Sequence, residues 1–249
     1  YGLIDRHESL RTIFKLNKDE EIRQSILSIE ELNFKVALFD FRNEKDPYAR
    51  IDKYIKEDNS KKFDLEKGPL FRVAFIQLSD DECIFYFNMH HIITDGWSIN
   101  ILERDFLVYY EAIKSGFSNQ LEPLNIQYKD YASWQKSAIK NGDYSKHREY
   151  WMNLLREDIP KLDLPSTSAR PKIMTYNGNV LQTFLSVDLT HKIKDFSWQN
   201  GGSIFMVVLT ILKILLHKYT SQSNIVIGTA VAGREDSDLE DQIGFYVNT

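Results

Sequence analysis

Phe87-Asn88-Met89-His90-His91-Ile92-Ile93-Thr94-Asp95-Gly96-Trp97-Ser98 is the stretch that decides how the rest of the chain is read. Before it, Glu82–Asn88 has the pattern of a strand. On such a strand Cys83, Phe85, Phe87 and Met89 share a face with His91, while Ile84, Tyr86 and Asn88 share the other with His90. Successive strand side chains point oppositely, so the two histidines do not both enter one site if the strand runs through them. That argues against a two-histidine metal pair, and no third ligand stands at a familiar metal spacing. One histidine is then the reactive group and the other is packed. Imidazole exchanges a proton near neutral pH. Asp95 suits either orienting a ring or anchoring the turn, and Gly96 lets a ligand approach the backbone. The plainer alternative keeps both histidines as core residues at a strand end, with Asp95 only capping the helix that follows.

Working outward, Leu70–Leu78 and Glu82–Asn88 flank Ser79-Asp80-Asp81, the pattern of a β-hairpin. From Trp97 a helix carries Ile99, Leu102, Phe106, Tyr109 and Ile113 at spacings of three and four, stopped by Gly116. Upstream, residues 2–10 read as a helix and Lys35–Phe41 as a strand. Asp46 before Pro47 is an N-cap with a first-turn proline, opening a helix with Ile51, Tyr54 and Ile55 on its apolar side. Downstream, helices surround Tyr131–Ala138 and Tyr144–Arg156, separated by Asn141-Gly142. A connector follows over Leu162–Gly178, with Pro165, Pro171 and a Ser/Thr cluster at 166–168. Beyond it we read a strand (Val180–Val187), a helix opened by Thr190, a buried helix after Ser203, and an apolar strand at Asn224–Ala230. A boundary near residue 175 gives subdomains 1–175 and 176–249. Strands and helices in both halves imply an α/β layer architecture.

The 249 residues carry 31 basic and 36 acidic side chains, a formal charge of −5, with 43% hydrophobic and 27% charged residues. This is the balance of a soluble globular chain, and it disfavours binding to nucleic acid. The single cysteine, Cys83, excludes an intramolecular disulfide and a Cys-rich zinc site, reads as core, and fits a reducing cytoplasm. The most apolar run, Ile204 to Leu216, is shorter than the roughly 20 residues of a membrane span, so no membrane location is expected. There is no initiating Met and no targeting peptide. The chain reads as a piece of a longer one.

His90-His91-x-x-x-Asp95-Gly96-Trp97-Ser98 resembles the signature of condensation domains of nonribosomal peptide synthetases, in the chloramphenicol acetyltransferase-like superfamily. Four more stretches match in the family's order. Arg6-His7-Glu8-Ser9-Leu10-Arg11-Thr12-Ile13-Phe14 resembles RHExLRTxF, and Tyr128-Lys129-Asp130-Tyr131-Ala132-Ser133-Trp134-Gln135 resembles YxDYAxWQ. Ile227-Gly228-Thr229 with Ala232-Gly233-Arg234 resembles IGTPVAGR, with Ala230 in place of the proline, and Ile243–Thr249 resembles IGxFVNT. The resemblance implies a two-subdomain, V-shaped pseudo-dimer. Here residues 1–175 form the N-terminal subdomain without its first segment, and residues 176–249 begin a truncated C-terminal subdomain.

It further implies amide-bond formation between an acyl, aminoacyl or peptidyl thioester donor and an aminoacyl acceptor. Both are delivered on the 4'-phosphopantetheine of upstream and downstream peptidyl carrier domains, beside an adenylation domain in the same or a partner synthetase. No cofactor or metal is bound by the domain itself. The family's second histidine carries over to His91 as the catalytic residue, with the backbone N–H near Gly96 as an oxyanion donor. His90, Asp95, Arg6 and Arg11 support the site, and an arginine of RHExLRTxF, first Arg6, pairs with Asp95. Trp97, Ser98, Tyr128, Trp134 and Asn248 are expected along a tunnel or interface. Tyr128, Tyr131 and Trp134 also read simply as a packing stripe. Ser203 in Gly201-Gly202-Ser203 reads as a helix cap rather than a phosphopantetheine-bearing serine. His7, His147, His191 and His217 read as ordinary, and the run Arg234–Asp241 as a solvated loop. Three rivals stay open. One is the HxxxxD pattern of glycerolipid acyltransferases, matched by His90 and Asp95 without the four accompanying motifs. The others are an epimerization-type or other carrier-dependent relative, and a catalytically inactive docking domain.

Overall fold

The computed structural model describes residues 1–118, 121–157, 159–166, 171–173, 175 and 178–249. Thr167 and Ser168 of the Ser/Thr cluster lie outside the described residues. In chain order the N-terminal part runs α1 (Gly2–Arg6), a 3₁₀ turn (Glu8–Arg11), β1 (Thr12–Leu16), β2 (Ile22–Ile26), β3 (Ala37–Asp40), α2 (Pro47–Asn59), β4 (Phe71–Gln77), β5 (Cys83–Met89), a 3₁₀ turn (His91–Ile93), α3 (Gly96–Ser115) and α4 (Tyr128–Asn141). It continues with α5 (Ser145–Leu154), α6 (Val187–Gln199), α7 (Ile204–Thr220) and α8 (Ser237–Glu240). By packing, the chain forms two compact units, one of residues 1–145 with 229–249 and one of residues 146–228. The boundary expected near 175 falls inside the second unit.

In the first unit β4 is the centre of a three-stranded sheet in the order β3-β4-β5. β3 runs parallel to β4, and β4 pairs antiparallel with β5, Phe71 opposite Met89 and Gln77 opposite Cys83. One face packs on α2 through Phe41, Ile51, Ala74, Ile76 and Leu78. The larger core gathers Ile4, Leu10, Leu70, Phe71, Ile93, Ile101, Leu102 and Ile243, and Phe85 stacks on Phe106 of α3 with centroids 4.4 Å apart. Alternation along β5 thus sends odd positions toward α3 and even positions, Tyr86 and Asn88, toward Asp58 at the end of α2. Cys83, expected in the core, is exposed at the first residue of β5.

The caps follow local chemistry. The Asp46 carboxylate accepts from Ala49 N–H with Pro47 in the first turn, and α3 and α4 stop at Gly116 and Gly142, both left-handed. Residues 2–10 do not form one helix. α1 ends at Arg6, and the extended His7 separates it from the 3₁₀ turn.

In the second unit Ser203 caps α7 by accepting from Met206 N–H. Helix α7 is not buried in this chain, for Phe205, Met206 and Ile211 are exposed. Residues 180–185 form no strand, and α6 begins at Val187 under the Ser186 cap instead of at Thr190. Asn224–Ala230 also forms no strand. A strand needs a partner, and among the described residues this segment has only the bridge of Val231 to Asn248 beyond its end. Among the described residues no single helix is long and apolar enough to cross a membrane.

Candidate active site

Strand β5 ends at Met89, so the two histidines sit beyond it. His90 is extended and His91 opens the 3₁₀ turn. The His90 Nδ1 accepts the Ile92 N–H at 3.0 Å, which places the proton of a neutral ring on Nε2. Its ring meets Phe63 edge-on and borders an open cavity of about 450 Å³ lined also by Asn59, Lys61, Lys62, Leu65, Arg72 and Asn88. His91 is exposed, with Phe245 edge-on at 5.2 Å. Two neighbouring rings therefore have separate surroundings.

Below the turn lies a buried polar hub. Asp95 caps α3, accepting from Ser98 N–H at 2.9 Å, and Tyr246 N–H donates to its other oxygen at 3.0 Å. The Arg234 guanidinium donates to Asp95 Oδ1 at 3.2 Å, with side-chain exposures of 1% and 2%. Arg234 also donates to the carbonyls of Leu239 and Gln242, and lies over the Tyr246 ring at 4.1 Å. Burial alone would push the Asp95 carboxyl up. The hydrogen bonds from Ser98 and Tyr246 and the Arg234 charge outweigh it and hold Asp95 below the usual carboxylate range.

This overturns the expected Arg6–Asp95 pair. Arg6 instead donates to Asp105 of α3 at 2.9 Å, where His7 Nε2 and Arg104 also bind. Asp105 is fully buried and needs cations and donors: Arg6 and Arg104 supply the charge, and His7, just past the end of α1, a hydrogen bond. His7 is thus no ordinary surface histidine. Burial drives its pKa down against the pull of Asp105, so it donates as a neutral ring. Arg11 holds backbone, donating to the carbonyls of Ile4 at 3.2 Å and Leu27 at 2.9 Å.

The run Arg234–Asp241 is solvated at Glu235–Asp238, Glu240 and Asp241, but not at Arg234 and Leu239. Its first residue is the counter-ion of Asp95, and Leu239 is buried. Arg234 is the residue that sequence reading missed. The signal was the short Ala232-Gly233-Arg234 run, where Gly233 has φ +66° and a Cβ would lie 2.1 Å from the Tyr246 carbonyl oxygen.

The other expected positions divide. Ser98, placed along a tunnel by expectation, is buried at 1% exposure. Its hydroxyl lies 2.7 Å from Asp95 Oδ1 and accepts from Gly244 N–H at 3.1 Å. Gly96 is exposed at the start of α3, and a Cβ there would meet nothing within 4 Å. Trp97 is partly exposed and donates its indole N–H to Glu240 O at 3.0 Å. Tyr128 donates to Phe245 O at 2.9 Å and packs edge-on against Tyr246. Trp134 is exposed and stacks beside Tyr131. Asn248 bridges to Val231. Among the described residues no group of three or more His, Cys, Asp or Glu is placed to hold a metal ion.

The chain is 37% identical over 247 residues to malpibaldin synthetase of Mortierella alpina, covering 99% of this chain and 4% of that protein. It is 36% identical over 248 residues to bacitracin synthase 2 of Bacillus licheniformis, covering 100% of this chain and 9% of that protein. The chain therefore spans less than a tenth of these relatives. Among solved structures, the first condensation domain of the CDA synthetase superposes with a TM-score of 0.83 at 18% identity, over 98% of this chain and 57% of that one. The epimerization domain from the third module of tyrocidine synthetase B superposes at 0.81 and 22% identity, over 99% and 56%. Both likenesses show the shared α/β fold, of which this chain spans about half. The model of the family described as Condensation domain matches residues 1–249, and the chain belongs to the condensation-domain family of nonribosomal peptide synthetases.

Proposed function

We propose that this chain is the His91-bearing part of a domain that forms an amide bond between two carrier-bound substrates in the cytoplasm. The single observation that carries the reading is the arrangement of the turn. His91 is exposed at its surface, while Asp95 below is buried and locked by Arg234, Ser98 and the Tyr246 backbone. A reactive imidazole on a rigid support is what positioning catalysis needs.

In this reading the acceptor amine attacks the donor thioester carbonyl, the C–N bond forms, and the C–S bond then breaks to release the carrier thiol. His91 orients the amine and takes its proton. The thiolate leaves and receives that proton from His91, which returns the ring to its starting state. The first N–H groups of α3, at Gly96, face developing negative charge on the former carbonyl oxygen. Gly96 leaves open space there, which suits a substrate better than a side chain. The substrates arrive on 4'-phosphopantetheine arms of upstream and downstream carrier domains, with an adenylation domain adjacent. The domain contributes positioning and proton transfer without a bound cofactor.

The fold is shared with an epimerization domain, so the product decides between the two chemistries. In the full-length protein His91→Ala lowers single-turnover amide formation from preloaded carriers by ~10²–10⁴-fold. Full retention of the rate, or inversion of the donor's stereocentre without amide product, overturns the reading.

A further inference from the structure

An exposed imidazole has several rotamers open to it, and a reacting group needs one. The neighbour that narrows the choice at His91 is Phe245, its ring 5.2 Å from the imidazole and turned 87° to it. Edge-to-face contact is a favoured aromatic geometry.

Phe245 does not reach this place by packing its own side chain into the core, for it is 41% exposed. Its backbone is held on both sides. Gly244 N–H donates to Ser98 Oγ at 3.1 Å, and Tyr246 N–H donates to Asp95 at 3.0 Å. The Phe245 carbonyl accepts from Tyr128 Oη at 2.9 Å. Ile243 and Tyr246 on either side are buried at 1% and 3%. The same hub that fixes the histidine turn from below thus also fixes the ring beside it. Turn and ring are referenced to one frame, so the imidazole has a wall whose position does not drift.

We propose that Phe245 is a positioning residue for His91: its ring, held by the pinned backbone of residues 244–246, keeps the imidazole in the orientation that meets the acceptor amine. This rests on the reading of His91 as the reacting group. A displacement of about 1 Å at a reacting centre costs up to ~10²-fold in rate, so loss of the wall is felt in turnover rather than in substrate binding.

The test uses the full-length protein with preloaded carriers, and compares Phe245→Ala, Phe245→Leu, Phe245→Tyr and His91→Ala with Phe245→Ala in the His91→Ala background. Phe245→Ala lowers kcat by roughly 10–100-fold with KM nearly unchanged, while melting stays close to wild type because the ring is half exposed. Phe245→Tyr restores the rate and Phe245→Leu, which keeps bulk without a ring, does not. In the His91→Ala background the loss of the ring has no further effect. Wild-type turnover in Phe245→Ala, equal rescue by Leu and Tyr, or an undiminished Phe245→Ala effect on top of His91→Ala would each overturn the proposal. If His91→Ala itself retains the wild-type rate, the reading of His91 falls first, and Phe245 has nothing to position.

Discussion

Removing either member of the Asp95–Arg234 pair strands the other in a place with almost no solvent, and the structure lets both costs be worked. Asp95→Ala leaves the Arg234 guanidinium with the Ser98 hydroxyl, the carbonyls of Leu239 and Gln242 and the Tyr246 face, but no anion. Arg234→Ala leaves the carboxylate with three donors, Ser98 N–H, Ser98 Oγ–H and Tyr246 N–H, and deprives two carbonyls of a donor at about 1 kcal/mol each. Breaking a buried pair from one side costs ~3–5 kcal/mol, and both variants fall in that range. At about 2–4 °C per kcal/mol for a domain of this size, each melts roughly 6–20 °C early. The double variant loses less than the two singles together, with a coupling of about 0.5–3 kcal/mol, because no charge is stranded. Arg6→Ala serves as the control. Arg6 pairs with Asp105, so its effect adds to that of Asp95→Ala. The assay is thermal melting of the full-length variants followed through the transition of this domain, with single-turnover condensation in parallel. Additive Asp95 and Arg234 effects, or coupling of Asp95 to Arg6 instead, would refute the pairing. A stable Asp95→Ala whose activity is lost as fully as in His91→Ala would make the aspartate catalytic rather than structural.

Three further outcomes are expected. Gly233→Ala forces a left-handed residue to carry a Cβ against the Tyr246 carbonyl and destabilises by at least about 2 kcal/mol, read as early melting. Gly96→Ala melts like wild type, since a Cβ there meets no protein atom, yet lowers the single-turnover rate by filling substrate space; unchanged turnover would remove Gly96 from the site. For His7 the sign is set by its depressed folded pKa. The unfolded ring gains a proton below about pH 6.5 and the folded ring resists it, so stability falls as pH is lowered through that window, by at most ~1.4 kcal/mol per pH unit. His7→Gln keeps a donor for Asp105, and its melting temperature changes less between pH 7 and 5 than the wild type's; an unchanged pH slope would show that His7 is not the group responsible.

What the sequence revealed about this molecule divides by range. Caps at Asp46, Asp95 and Ser203 and the stops at Gly116 and Gly142 are legible because each depends on a few adjacent residues. The β4–β5 hairpin is legible for the same reason. The strands expected at Val180–Val187 and Asn224–Ala230 fail because apolar, β-branched composition supplies only half of a strand, the other half being a partner. Cys83 fails differently: face alternation assigns it inward, but the first residue of β5 stands beyond the packing that covers Phe85 and Phe87.

The counter-ion of Asp95 comes from far along the chain. Arg6 and Arg234 both stand in recognisable motifs, and no spacing says which of them meets a carboxylate 139 residues away from one of them. The clue lay in α3 itself. Asp105 interrupts the apolar series of Leu102, Phe106 and Tyr109 on a helix whose inner face is buried, and a carboxylate there demands cations. Once Asp105 claims Arg6 and Arg104, Asp95 must be served from elsewhere, and the arginine held by the left-handed Gly233 is buried at the right place. Counting buried charges against available partners therefore reaches an answer that motif matching alone does not. An exposed residue such as His91 is legible from its own turn, because the strand end and helix start that present it are local in sequence. A residue that holds the turn is betrayed only by the charge it neutralises, so it is found by asking of each buried carboxylate where its cation comes from.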